Sequence, residues 1–317
     1  MRVKDIIKRS PILYTAVIKA REARKKISSF VPDELYIKMQ YRKQMGKKID
    51  LSNPETINEK IQWFKLHWHN PMMTKCADKY AVRSYVEEKI GSEVLNKLYG
   101  VYEKVEDIDL AALPDSFVIK VNHGSGQNII CKDKSKMDFN QAFSKIKGYL
   151  KSNHYFYGRE WAYKDIKPLI IIEEYLDDNG RSPADFKILC FHGKPEIIQL
   201  DIDRFGEHRR NYYNVDWSQM DLRFIVANSS VEIPKPHNLD EMLCYATLLA
   251  NGFPFVRIDF YNFAGKIYFG EMTFYPNNGI GTFYPVENNK MIGDKLVLPY
   301  LHEKQPNSLV KGSIKGR

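Results

Sequence analysis

The sequence predicts an α+β fold, on two observations. Three pairs of apolar runs, each pair joined by a short turn containing glycine, read as strand hairpins. Helical segments with recognisable start and stop signals precede and separate them, so helices and antiparallel strands are mixed along one chain.

The elements follow in order. Pro11 and Pro32 interrupt a helical pattern, so residues 1–50 read as helices with a linker. Ser52-Asn53-Pro54-Glu55-Thr56 combines polar caps, a proline and an acidic first turn, and predicts a helix over Ile57–His67. A second helix is expected over Lys75–Ile90, stopped by Gly91. Phe117–Val121 and Asn128–Cys131 read as two strands around Asn122-His123-Gly124-Ser125-Gly126-Gln127. A helix is expected over Phe139–Leu150, and an apolar strand over Leu169–Leu176 that turns polar at Glu173. Asp185–Cys190 and Pro195–Leu200 form a hairpin around His192-Gly193-Lys194. Leu239–Asn251 looks helical, and Phe255–Tyr261 with Lys266–Glu271 make the last strand pair. This divides the chain into a basic segment (1–50), a helical region (51–115), a strand-rich body (116–300) and a tail (301–317). There are no internal repeats.

Composition narrows the class. Hydrophobic content of 44% fits a folded protein rather than a disordered one. No apolar run approaches the ~18 residues that a membrane span needs. Pro11–Val17 is too short and mixed for a signal-peptide core. Cys76, Cys131, Cys190 and Cys244 form no CxxC pair and no zinc-type spacing, which points to a reduced, cytoplasmic protein with buried thiols. The formal charge is +9, and Met1–Lys26 holds nine basic residues against two acidic ones, leaving the remainder close to neutral. A nucleic-acid binder would spread such charge along a reading surface, so nucleic acid is not expected as a partner. The basic segment reads either as an amphipathic helix touching anionic lipid at the inner membrane face or as a solvated surface helix.

Three constellations carry chemistry. Lys120 ends an apolar strand, and Gly124-Ser125-Gly126 follows; backbone N–H groups in such a turn can converge on an anion while the lysine adds charge. Taken alone these residues read first as a plain hairpin loop with a solvated lysine, and the loop does not match the P-loop pattern. Glu173-Glu174-Tyr175-Leu176 leaves an apolar strand, where free backbone groups can pair with an adenine edge and a carboxylate can take a ribose hydroxyl; the plain alternative is a strand ending at a surface turn. Arg257-Ile258-Asp259 and Glu271-Met272-Thr273 alternate, so Arg257 and Asp259 share one face and Glu271 and Thr273 another. A hairpin can bring Asp259 and Glu271 together around Mg2+, with Arg257 meeting transferred charge; a surface salt bridge is the alternative.

In that order, the three constellations resemble the ATP-grasp superfamily, and most closely its TupA-like branch, associated with teichuronopeptide and capsular polysaccharide biosynthesis. The carrying segments are Asn53–Trp63, Asp78-Lys79-Tyr80-Ala81-Val82-Arg83, Phe117–Gly126 and Arg257–Asn278, and the likeness spans residues 50–290. The resemblance implies ATP between two α+β subdomains formed by residues 116–300. It implies Lys120 on phosphate, Gly124, Ser125 and Gly126 as the loop over the phosphates, and Glu173, Glu174, Tyr175 and Leu176 as the adenine hinge. Asp259 and Glu271 would be the metal carboxylates, Arg257 the arginine before them, and Lys187 a further nucleotide contact. Thr273 stands where many relatives have asparagine; its hydroxyl would be a third metal ligand, with Asn277 or Asn278 as substitutes, which leaves the number of metal ions open.

The function so implied is an ATP- and Mg-dependent ligase that joins an amine or amino acid to a carboxylate, on a sugar or surface polysaccharide, through an acyl phosphate. A glycan kinase on the same fold, a nucleotide-gated adaptor, or a glycosyltransferase using Asp201-Ile202-Asp203 stand as alternatives. Arg204, His208, Arg209 and Arg210 form a cationic cluster in loop-like sequence; Arg204 and Arg209 are candidates to clamp an acidic substrate, against the alternative of a solvated loop.

Overall fold

A computed structural model describes residues 30–176, 184–202, 207–263 and 265–299. The expected helix within residues 1–26, the tail 301–317, Arg204 and Asp203 lie outside the described residues.

Four helices open the described chain: α1 (Asp33–Met45), α2 (Ile57–His67), α3 (Pro71–Ala77) and α4 (Val82–Ile90). Helix α2 starts where its signal places it, because the Thr56 side chain and Glu59 form a reciprocal capping box. The helix expected over Lys75–Ile90 is instead split in two. Asp78 caps α3, and its Oδ1 accepts the N–H groups of Tyr80 and Ala81, turning the chain before α4 begins.

Among the described residues the strands form two large antiparallel sheets and one two-stranded ladder. The smaller holds β1 (Leu98–Tyr102), β2 (Phe117–Val121), β3 (Asn128–Cys131) and β4 (Ile170–Glu173) in the order β1-β4-β2-β3. Between β3 and β4 run α5 (Phe139–Leu150) and the single turn α6 (Tyr155–Gly158). Alternation along β2 sends Phe117, Ile119 and Val121 into a core beneath α5, beside Ile146, Ile170 and Ile172. Val118 and Lys120 therefore face the opposite way.

The larger sheet has five strands: β5 (Ala184–Phe191), β6 (Lys194–Ile202), β7 (Arg209–Asn214), then β9 (Phe255–Phe263) and β10 (Lys266–Thr273), in the order β10-β9-β5-β6-β7. Two-residue strand β8 (Arg223–Phe224) precedes α7 (Leu239–Ala250); it pairs with β11 (Phe283–Tyr284), which leads into α8 (Asn288–Asp294). The β5–β6 turn has His192 and Gly193 both at positive φ, the geometry that two-residue hairpins favour. The stretch around Arg209 and Arg210, expected as loop, is strand β7, held by its register with β6. Helix α7 covers the sheet face carrying Val256, Ile258 and Phe260, in one core with α2 and α4. Three cysteines are buried as expected, but Cys244 is exposed.

Among the described residues, no helix is long and apolar enough to cross a membrane.

Candidate active site

The inner faces of the two sheets enclose a cleft of about 420 Å³. Its lining comes from both: Val118, Lys120 and Glu173 from the small sheet, and Asp259, Tyr261 and Glu271 from the large one. Ser125, Gly126 and Gln127 rim it on one side, Glu174, Tyr175 and Leu176 on another.

On the small sheet, Glu173 is buried at the end of β4 and opposes Val118 in register. Its carboxylate accepts from Lys120 Nζ at 2.5 Å and from Arg83 Nη1 at 3.2 Å. Burial works against its charge, yet Lys120 and Arg83 hold its carboxyl below the usual range. Arg83 is itself fixed by the Asn96 side chain and carbonyl. Glu173 is thus engaged by two cations, and Glu174 is the partly exposed carboxylate at the rim. Glu174 N–H still bonds to the Lys97 carbonyl at 2.9 Å, and the chain leaves the ladder after it. Lys132 sits 5.7 Å over the Tyr175 ring.

The glycine loop is anchored at its base. Buried Asn122 donates to Asp78 and to the Lys167 carbonyl, and accepts from Leu169 N–H at 2.7 Å. His123 lies buried against Asn122 and the Ser152 carbonyl, and burial pushes its imidazole below the usual range. Beyond this base Gly126 has φ +66°, a conformation that glycine adopts without Cβ strain.

On the large sheet, the register sets Asp259 opposite Glu271 and Arg257 opposite Thr273. A bulge at Gly270 makes this possible. Phe269 pairs with Phe260 on the core side, and without an extra residue Glu271 would follow Phe269 into the core. An added Cβ on Gly270 would lie 3.0 Å from the Asp259 carbonyl oxygen. Arg257 grips Asp259 through both carboxylate oxygens at 2.6 and 2.7 Å, and reaches Glu271 at 3.4 Å. Lys187, opposite Asp259 on β5, donates to Asp259 at 2.8 Å and to Asp185 at 2.5 Å. The Thr273 hydroxyl accepts from Arg257 and donates to Glu271, and lies behind Glu271 rather than on the cleft surface.

The substrate candidates part company. Arg210 and His208 both turn onto Asp201, at 2.5 and 3.1 Å, so the cationic charge there is matched by a buried carboxylate. Arg209 points to the other face of β7 and pairs with exposed Glu207. Asp201, the first residue of the Asp-x-Asp formula, is therefore taken by its own cations.

Lys79 is a cleft side chain to which sequence reasoning gave no role. It lies in the turn between α3 and α4, lines the cleft, and donates to Glu271 Oε2 at 3.0 Å. Burial opposes the charge of Glu271, but Lys79 and Arg257 together hold its carboxyl far below the usual range. Lys79 and Arg83 stand on either side of the start of α4, Lys79 in the turn before it and Arg83 in its first turn, and the segment that holds them, Asp78–Arg83, is visible in the sequence.

The family model described as TupA-like ATPgrasp matches residues 59–297. The chain belongs to that family. The fold is accordingly ATP-grasp, with the two sheets as its two walls. Among solved structures, the D-alanine–D-alanine ligase from Bacillus anthracis complexed with ATP is similar at 14% identity and TM-score 0.38, covering 64% of this chain and 55% of that one. The ATP-grasp ligase PsnB, complexed with a phosphomimetic variant of its minimal precursor, Mg and ADP, is similar at 11% identity and TM-score 0.40, covering 75% of this chain and 64% of that one. The first three solved relatives are matched over only 55% to 61% of their lengths. No curated protein matches the chain.

Around this ATP-grasp cleft, five cations (Lys79, Arg83, Lys120, Lys187 and Arg257) pair with three carboxylates (Glu173, Asp259 and Glu271); Lys187 and Arg257, like Thr273, stand behind the lining. Asp259 and Glu271 supply hard oxygen donors on neighbouring strands, the donor type that magnesium takes in small number with waters and phosphate oxygens. The residues thus fit a divalent cation bound together with a polyphosphate, and among the described residues no group of three or more His, Cys, Asp or Glu offers a metal cage without one.

Proposed function

We propose that this TupA-like ATP-grasp protein binds ATP with Mg2+ in the cleft and is a carboxylate–amine ligase. The observation that carries the reading is a single cleft lined from one wall by Lys120 and the Ser125-Gly126 rim, and from the other by the register pair Asp259–Glu271. Its dimensions and charge suit a triphosphate. Glu174, Tyr175 and Leu176 would hold the adenine end, and Lys79, Lys120 and Lys187 would neutralise phosphate oxygens. Asp259 and Glu271 would hold magnesium, which when bound offsets the charge on the phosphates.

The chemistry needs no nucleophilic side chain. A carboxylate oxygen attacks the γ-phosphorus, ADP leaves, and an acyl phosphate results. An amine then attacks the carbonyl carbon, loses a proton, and inorganic phosphate departs with the former carboxylate oxygen. The chain's own share is positioning and charge balance: Arg257 beside the transferred group, the lysines on the phosphates, and closure of the glycine loop against water. We assign the acceptor to the class of carboxylated sugars or surface polysaccharides, and the amine to amino acids; the family's association with teichuronopeptide and capsule supports this.

The test is a thermal-shift series with ATP analogues and UDP-sugars, with and without magnesium, on the wild type and Glu271→Gln. Stabilisation by ATP that requires magnesium and is lost in Glu271→Gln supports the reading. Stabilisation by UDP-sugars instead overturns it. Phosphate release that depends on an added amine marks a ligase; phosphate retained on the glycan would make the enzyme a kinase.

A further inference from the structure

Helix α1 is bolted to the body by its inner face. Ile37 and Tyr41 are buried there. Asp33 pairs with buried Arg159 at 3.0 Å and accepts from the Tyr155 hydroxyl at 2.5 Å, while the Arg159 guanidinium lies 4.3 Å over the Tyr36 ring. The helix therefore cannot turn over, and what its outer face presents is fixed.

That outer face is unusual for solvent. At 3.6 residues per turn, Leu35, Lys38, Met39, Arg42 and Lys43 share an arc of about 140°. Leu35 is 52% exposed and Met39 56%, and Phe30, just before the helix, is 81% exposed. Single exposed apolar residues mean little, but these three cluster at one end of one element, with bases beside them. No acid lies within the arc; Glu34, at its edge, pairs with Lys38 at 2.5 Å. Lys47 and Lys48 continue the charge past the helix. The 26 residues at the start of the sequence carry the same sign, nine bases against two acids.

We propose that the outer face of α1 docks on a bilayer containing anionic lipid. Large apolar side chains interleaved with bases suit the headgroup boundary, where the apolar groups enter the acyl region and each base meets an acidic headgroup. A soluble polyanion would engage the bases and leave Leu35, Met39 and Phe30 without a role. The docking holds the cleft beside the membrane without using any residue that lines it.

The test is co-sedimentation of the full chain with vesicles of phosphatidylcholine alone and with added phosphatidylserine. Wild type is expected to bind only the anionic vesicles. Leu35→Ser/Met39→Ser and Arg42→Glu/Lys43→Glu should each weaken that binding by about tenfold or more, with circular dichroism and the ATP-induced thermal shift unchanged. Should the apolar pair unfold the helix, Phe30→Ser, outside α1, takes its place. Wild-type binding in the apolar variant would overturn the proposal in favour of a purely ionic contact. Wild-type binding in both variants would assign it to the first 26 residues alone, and no vesicle binding at all would leave α1 a surface helix.

Discussion

Lys79 and Glu271 meet at 3.0 Å across the cleft, and Lys79 N–H bonds to the Asn122 carbonyl at 3.0 Å. One residue thus joins the α3–α4 turn to both walls: its backbone to the base of the glycine loop, its side chain to the Glu271 carboxylate. Phosphates entering the cleft would compete with Glu271 for that ammonium. Lys79→Met should lower ATP-dependent phosphate release by about 100-fold, the scale of losing one charge-stabilising donor. The fold should persist, because Arg257 still faces Glu271. A steady-state assay with a parallel melting curve checks this, and a wild-type rate would remove Lys79 from the site.

Glu173 presents a different balance. It is buried, and both Lys120 and Arg83 depend on it. Glu173→Gln leaves two cations without their anion and should destabilise by about 3 kcal/mol, the lower end for a broken buried pair because both partners keep some exposure. Urea denaturation measures it. The same variant separates two roles: if Glu173 only holds cations, the ATP-induced thermal shift survives, whereas a ribose contact would make it fall.

Local signals made part of this legible. The caps and proline of Ser52–Thr56 announced α2, and His192-Gly193 marked the β5–β6 turn, because both act within a few residues. The failures are non-local. The break at Asp78 belongs with a contact from Lys79 N–H to Asn122, and β7 is a strand because β6 pairs with it, although Arg209-Arg210-Asn211 has no apolar alternation. The placement of Lys79 against Glu271 spans 192 residues of sequence. The Asp259–Glu271 pairing was legible as alternation; the bulge that permits it was not.

Gly270 is where that pairing can be broken. An alanine Cβ would press on the Asp259 carbonyl at 3.0 Å, closer than carbon and oxygen ordinarily settle. Gly270→Ala should cost about 1–3 kcal/mol of stability by overpacking. Its effect on turnover should be larger than that loss explains, since the bulge alone turns Glu271 away from the Phe269 side. Turnover measured well below the melting point checks this; activity falling only with the folded fraction would mean the bulge tolerates the methyl group.

Asp201 gives the pH dependence its sign. Burial opposes its charge, but Arg210, Lys187 and His208 override that and bring its pKa from 3.8 down to about 2. Between those values the unfolded chain holds more protons than the folded one, so stability rises with pH across the window. The contribution is fully present above pH 4, is lost as pH falls toward 2, and amounts to about 2 kcal/mol in all. Asp201→Asn cannot titrate and should lack it. The stability gap between wild type and Asp201→Asn, from urea denaturation, should narrow by about 1 kcal/mol on going from pH 5 to pH 3. A gap of constant size would mean that Arg210 does not hold this carboxylate charged in solution.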